Sequence, residues 1–436
     1  MSDWTIKDLQ KWDDKIIEIA KDYGLDWYPI NYEICDYYEM IGHMSYHGMP
    51  SHYQHWSFGK TFERTHQMYN LGMSGLPYEL IINSNPSIAY LMQENPLYLQ
   101  VLIMAHCVGH SDFFKNNRIF KDTDADNVVS RFRNARRRIQ KYSENINIGH
   151  TKVETLLTNL HSISFQVNRY GLKRLTKKQK KQAYIDRVNR EKDSGEKSVV
   201  AMPRKTLFSS DDDILAFLAE YGKFDDWELD IINIVRDESF YFIPQIRTKI
   251  LNEGWASFWH YKIIHDLELD QSMHLPFIKM HNAVVRPHTS NINPYHLGFH
   301  IFQKIEREQG LDECFFIREN QDDESAIRCY LDIDDFRDLN LFTYALEKDH
   351  YKIEEVSDEA GWLKVREDLI KTTGINNFPK INVEDIDSDG TLVLKHEHVG
   401  RDLDIEYADK VIANIQQLWK DKVKMYTILE DELWEM

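Results

Sequence analysis

Two histidines four residues apart, His106 and His110, lie in a stretch where Leu97, Val101, Met104, Ala105 and Val108 recur at helical spacing across residues 97 to 115. This feature restricts the fold most. A helix so apolar has to be covered by others, and imidazoles at i and i+4 leave one helix face a turn apart, where both can reach one cation. A second segment, Asn252-Glu253-Gly254-Trp255-Ala256-Ser257-Phe258-Trp259-His260, offers a carboxylate and, two turns further along the same face, another imidazole. The chain is therefore expected to bring two helices together around a metal held by His106, His110 and Glu253. Zn²⁺ is the expected ion and Fe²⁺ the alternative, because His and carboxylate ligands do not select zinc alone.

In the zinc-hydrolase pattern H-E-x-x-H the residue after the first histidine is the general base, and here that residue is Cys107. Water activation then falls to Glu253, Asp112 or another carboxylate, and if Glu253 is the base His260 becomes the third ligand. Asp112 is expected to orient a ligating imidazole. His260 is expected to act as a further ligand, an acid or a substrate contact, and Tyr295, in Asn293-Pro294-Tyr295, to donate to a developing oxyanion. His55 and His281 are further residues expected to line the cleft or to pack. The pair His43 and His47 repeats the spacing, but Gly42, Gly48 and Pro50 favour a loop.

Charge and composition exclude several classes. A net charge of −18 argues against a nucleic-acid binder, since phosphate recognition relies on clustered cations. The run Arg131, Arg133, Arg136, Arg137 and Arg138 reads as a solvated helix face, and Glu430 to Met436 as a frayed acidic end. No apolar run reaches the eighteen or so residues of a membrane span, and Met1-Ser2-Asp3-Trp4 begins no export signal, so a cytoplasmic protein is expected. Cys35, Cys107, Cys314 and Cys329 form no C-x-x-C and are expected as mostly buried, reduced thiols. Motifs for nucleotide phosphates and for a serine nucleophile are absent.

The fold class expected is mainly α with a smaller C-terminal α+β module, around a helical metallopeptidase-like core. Residues 1–310 form the helical core, interrupted by a charged, mobile insertion at about 173–205, and residues 311–436 form the module. In the latter, 351–356, 380–383 and 391–394 read as strands and 360–372 and 404–420 as helices. Asp385, Asp387, Asp389 and Gly390 resemble a calcium loop, but His396 occupies the position that needs a bidentate Glu, so a hairpin turn is expected.

Several longer segments carry a resemblance: His55-Trp-Ser-Phe-Gly-Lys60, Ala105-His-Cys-Val-Gly-His-Ser-Asp-Phe-Phe-Lys-Asn-Asn117, Lys249-Ile-Leu-Asn-Glu-Gly-Trp-Ala-Ser-Phe-Trp-His260, Asn293-Pro-Tyr-His-Leu-Gly298, Asp338-Leu-Asn-Leu-Phe-Thr-Tyr344 and Gly400-Arg-Asp-Leu403. Together they are similar to the SpoVR family, the stage V sporulation protein R group, over nearly the whole chain. The resemblance implies a bacterial cytoplasmic protein linked to sporulation, cortex formation or stress adaptation, associated with a PrkA-type serine kinase. Two functions are expected in turn: a zincin-like hydrolase acting on a peptide or amide bond, with a peptide or cell-envelope-related substrate, and a non-catalytic regulatory or scaffold partner built on a metallopeptidase-like fold.

Overall fold

The structure is a computed structural model and describes residues 4–49, 51–71, 79–171, 176, 178–182, 185–186, 210–288, 292–347 and 350–436. The expected charged insertion at 173–205 falls largely outside the described residues. The chain forms two compact units, residues 1–137 with 244–374, and residues 138–243 with 375–436.

The first unit is organised by the Leu97–Asn116 helix, here the histidine helix. Every residue from Leu99 to Phe114 is buried, as an all-round apolar pattern requires. One side is covered by the amphipathic Ile6–Asp22 helix, which buries Leu9, Ile16 and Ala20 and starts at a capping box made by Thr5 and Asp8. Another side is covered by the Lys249–Asp266 helix, the glutamate helix, which in turn packs on the Pro294–Gln309 helix, the tyrosine helix. These contacts are unusually close because glycine meets backbone. A Cβ added to Gly109 would lie 2.7 Å from Ala256 Cα, and one on Gly254 would lie 2.3 Å from the Gly298 carbonyl carbon.

The histidine helix also packs on a small sheet, β1 (Ile30–Cys35), β2 (Glu79–Ile82) and β3 (Ser87–Met92), in the order β1-β3-β2. β1 runs parallel to β3 and β2 antiparallel to it, with Glu79 opposite Leu91. A reading of the first three hundred residues as mostly helical omits this sheet, whose strands are short and separated in sequence.

Residues 311–374 belong to the same unit. Asn117 Nδ2 donates to the carbonyls of Arg318 and Gln321, and the buried Asp323 carboxylate accepts from the Ile250 and Leu251 N–H groups at the start of the glutamate helix. A hairpin of β4 (Phe342–Glu347) and β5 (His350–Val356) and the Trp362–Lys371 helix complete this part.

The second unit holds a four-stranded sheet, β6 (Ile381–Ile386), β7 (Leu392–His396), β8 (Val423–Leu429) and β9 (Glu432–Glu435), in that order. β7 and β8 are parallel, joined by the Ile405–Trp419 helix as a parallel pair requires. The chain is thus mostly helical with a small C-terminal sheet module. The Asp-rich stretch is a hairpin, with Gly390 at φ +94° and its N–H on Asp387 O. A frayed acidic end is corrected: β9 pairs with β8, and the Met436 N–H and C=O both bond Met425, so ladder hydrogen bonds hold a segment whose composition alone suggests solvation. Arg133, Arg136, Arg137 and Arg138 are exposed on a helix that buries Ala135 and Ile139, as a solvated face does. Cys35, Cys107 and Cys314 are buried, Cys329 is exposed, and all four are free thiols.

Candidate metal centre

His106 and His110 project from the histidine helix toward Glu253 on the glutamate helix. Glu253 Oε2 stands 3.5 Å from His106 Nε2 and 3.3 Å from His110 Nε2, and Glu79 Oε1, from β2, stands 3.5 Å from His106 Nε2. Ligand atoms of all four residues lie within 4.8 Å of one another. Charge-assisted hydrogen bonds run at roughly 2.7–2.9 Å, so these spacings are too long for good hydrogen bonds. They match something else: four donors around a tetrahedral zinc with bonds of about 2.0–2.1 Å stand roughly 3.3–3.4 Å apart. His106 Nε2 and Glu253 Oε2 are buried with no hydrogen-bond partner, which is costly unless a cation lies between them. The three expected ligands are thus brought together, and Glu79 joins them.

The imidazoles are held from behind. His110 Nδ1 lies 2.9 Å from Asn252 Oδ1, an acceptor, which assigns the proton to Nδ1 and leaves the Nε2 lone pair facing the cluster. His106 Nδ1 lies 2.9 Å from His260 Nδ1, and His260 Nε2 lies 2.8 Å from His281 Nδ1. If His106 is to present a free Nε2, its Nδ1–H donates to His260, which then donates to His281. Both ring nitrogens of His260 are used in this row, so His260 stands behind His106 and not beside the carboxylates. Burial, reinforced by the neighbouring His106 and His281, pushes the His260 pKa well below the ordinary value. Burial, with His265 and His106, takes His281 down to about 4. Neutral imidazoles are the form that such a row and a metal both need.

The electrostatics of the carboxylates favour a cation. Burial raises the Glu253 carboxyl, but Lys249 and His110 outweigh it and hold it well below the usual range. Burial likewise works to lower the His110 pKa, and the Glu253 carboxylate outweighs it and raises it, so each group of the pair favours an opposite charge beside it. Tyr295, second residue of the tyrosine helix behind the Asn293 cap, has its ring centroid 6.1 Å from that of His106. Burial and the two carboxylates Glu253 and Glu79 push its phenol well above the ordinary value, which keeps a donor O–H at the cluster.

Asp112 does something different from the expected role. It bonds no imidazole: its oxygens accept from Trp255 Nε1 at 2.9 Å and from the Asp26 N–H at 2.8 Å, and it faces Arg318. Burial pushes it up to about 6. Two residues past His110 is the far side of the helix, so Asp112 ties the helices together. His55 is equally remote in role, capping the Trp56–Asn70 helix by accepting from the Ser57 N–H. His43 lies in the Tyr37–Ser45 helix, where a loop is expected from sequence, and stacks on Tyr90.

Comparison with known proteins gives the family of the chain. A family model described as SpoVR like protein matches residues 3–378, and one described as SpoVR-like C-terminal domain matches residues 379–430. The chain belongs to the SpoVR family. It is 34% identical to the uncharacterized protein YcgB of Escherichia coli (strain K12), over 98% of this chain and 93% of that protein. No solved structure matches the chain. Among the described residues, no helix is long and apolar enough to cross a membrane.

Proposed function

We propose that this protein is a metal-dependent hydrolase of peptide or amide bonds, with a zincin-like centre in which His106, His110 and Glu253 hold Zn²⁺ or Fe²⁺. The supporting observation is the pair of partnerless buried atoms, His106 Nε2 and Glu253 Oε2, set at tetrahedral ligand spacing. An ion there supplies Lewis acidity, polarising a carbonyl and making water easier to deprotonate. Glu79 takes the role of base that Cys107 cannot: at 14% exposure its carboxylate is the most open of the four and reaches solvent. Tyr295 keeps its proton at neutral pH and donates it as a hydrogen bond to oxygen that gains charge. His260 and His281 position His106 and do not meet substrate.

A second reading keeps the same fold without turnover, as a regulatory partner in a PrkA-type serine kinase pathway linked to sporulation or stress adaptation. The observation in its favour is Cys107, where the H-E-x-x-H pattern has its base. One set of variants separates the readings. Untagged protein should carry near-stoichiometric Zn or Fe by elemental analysis, and His106→Ala, His110→Ala and Glu253→Ala should lose it. Glu79→Gln should keep the ion and abolish cleavage of a peptide library by the wild type. Metal-free wild type would sink both the centre and the hydrolase, whereas a loaded protein with no cleavage would leave the regulatory reading.

A further inference from the structure

Resting on the metal centre proposed above, one residue at its mouth bears on the substrate. Lys249 opens the glutamate helix one turn before Glu253, and its side chain is 56% exposed while that of Glu253 is 6% exposed. Its ammonium contacts Glu253 Oε1 and lies 6.0 Å from the Tyr295 ring centroid. Glu253 therefore bridges two environments, with Oε2 turned to the histidines and Oε1 turned to the lysine.

Counting charge shows what an ion would change. Without an ion, Glu253 faces the two histidines through Oε2 and the Lys249 ammonium through Oε1. A divalent ion on Oε2 would add two positive charges beside that ammonium. Asp323, nearby at the start of the same helix, has both carboxylate oxygens engaged by the Ile250 and Leu251 N–H groups. The loaded site thus keeps an ammonium on a solvent-accessible stem whose carboxylate partner, Glu253, is shared with the ion. An ammonium in that state attracts an oxyanion.

We infer that the loaded centre takes an anionic substrate and that Lys249 captures its carboxylate or phosphate oxygens beside the reacting bond. Lys249 is a specificity residue in this scheme, and the selectivity is conditional on the ion, whose positive charge beside the ammonium attracts the same ligand. The surrounding protein supplies no general attraction, because the chain carries a net charge of −18.

The test uses the full chain loaded with Co²⁺, whose visible spectrum reports ligands near the ion, with cobalt content measured first for each variant. Inorganic phosphate and N-acetylglycine are titrated separately into wild type, Lys249→Met and Lys249→Arg. Wild type should bind at least one of them, Lys249→Met should bind it about tenfold or more weakly at full cobalt content, and Lys249→Arg should restore most of the loss. Preference for phosphate points to phosphorylated substrates, and preference for N-acetylglycine to peptide carboxylates; both support the inference. Equal affinity in Lys249→Met, or no binding of either anion by loaded wild type, overturns the inference and leaves the metal centre standing. Loss of cobalt from Lys249→Met would instead assign the lysine to holding Glu253 and also overturn it. Wild type that takes up no cobalt defeats the centre itself.

Discussion

Replacing Gly254 by alanine tests whether the site depends on backbone-to-backbone helix packing. The new Cβ would fall 2.3 Å from the Gly298 carbonyl carbon and 2.6 Å from its oxygen, against an ordinary contact of about 3.4 Å or more, so the helices must part by roughly 1 Å. The obstacle is main chain, which cannot swing aside. Nor can the glutamate helix retreat, because on its other side Ala256 already meets Gly109 with no space for a Cβ. Overpacking of this kind costs about 1–3 kcal/mol, and alanine's better helix propensity returns about 1 kcal/mol. The confined geometry favours the upper end, so a net loss of about 2 kcal/mol is expected, or roughly 4–8 °C in Tm for a unit of this size. Displacing Glu253 by even part of that distance also spoils spacings of 3.3–3.5 Å, so metal affinity should fall with stability. Gly59→Ala is the control: it lies in the Trp56–Asn70 helix with nothing within 4 Å of its Cβ and should raise Tm slightly. Thermal unfolding and metal titration of both variants decide the matter. A Gly254→Ala protein as stable as Gly59→Ala, with wild-type metal affinity, would refute the packing argument.

Asn252→Ala removes the acceptor that fixes the His110 tautomer, and zinc affinity measured against a chromophoric chelator should weaken about 10–100-fold while the fold persists; unchanged affinity would show that the amide does not orient the ligand. Asp335→Asn probes the cluster of buried Asp335 and Lys304 with the partly exposed His300. Burial works to raise the Asp335 carboxyl, but His300 and Lys304 outweigh it and lower it from 3.8 to about 2, so the ionised form stabilises the fold above pH 4, and that stabilisation is lost as pH falls through about 2. A shift of that size corresponds to about 2 kcal/mol. Urea unfolding should show wild type ahead of Asp335→Asn at pH 6 and level with it near pH 2; a gap independent of pH would remove the ionic account.

The grouping of His106, His110 and Glu253 was legible because helical periodicity is local: four residues of spacing fix a shared face, and a glutamate near a helix start needs only that helix to be placed. Glu79 was not legible. It stands on a four-residue strand whose only local mark is the apolar run Leu80-Ile81-Ile82, and the antiparallel pairing that aims it at the cluster involves β3, which no spacing rule links to the histidine helix. The row His106, His260 and His281 was half legible, since His260 follows from the glutamate helix whereas its use of both nitrogens depends on a third helix, Gln271–Val284. Asp112 shows the converse failure. Its place two residues after His110 suggested help to an imidazole, but a further 200° of helical turn takes it to Trp255 and Asp26. β9 was hidden by charge, because strand pairing is satisfied by backbone groups that composition does not report.

Cys107 separates a sequence pattern from the chemistry it stands for. Changing Cys107 to Glu would recreate H-E-x-x-H, yet the structure predicts a loss. The Cys107 side chain is fully buried, and burial together with Glu79, Asp13 and Glu253 pushes its thiol well above the ordinary value. A carboxylate there would meet the same burial and the same three negative charges with no added cation, so it would either destabilise the fold by several kcal/mol or remain protonated and useless as a base. Cys107→Ser, close in size, serves as the comparison for steric effects. Cys107→Glu should therefore unfold well below both wild type and Cys107→Ser, and whatever fraction folds should cleave no faster than wild type. A stable Cys107→Glu protein with raised, metal-dependent hydrolysis would show that the helix position can still deliver a base, and the assignment of that role to Glu79 on β2 would have to be withdrawn.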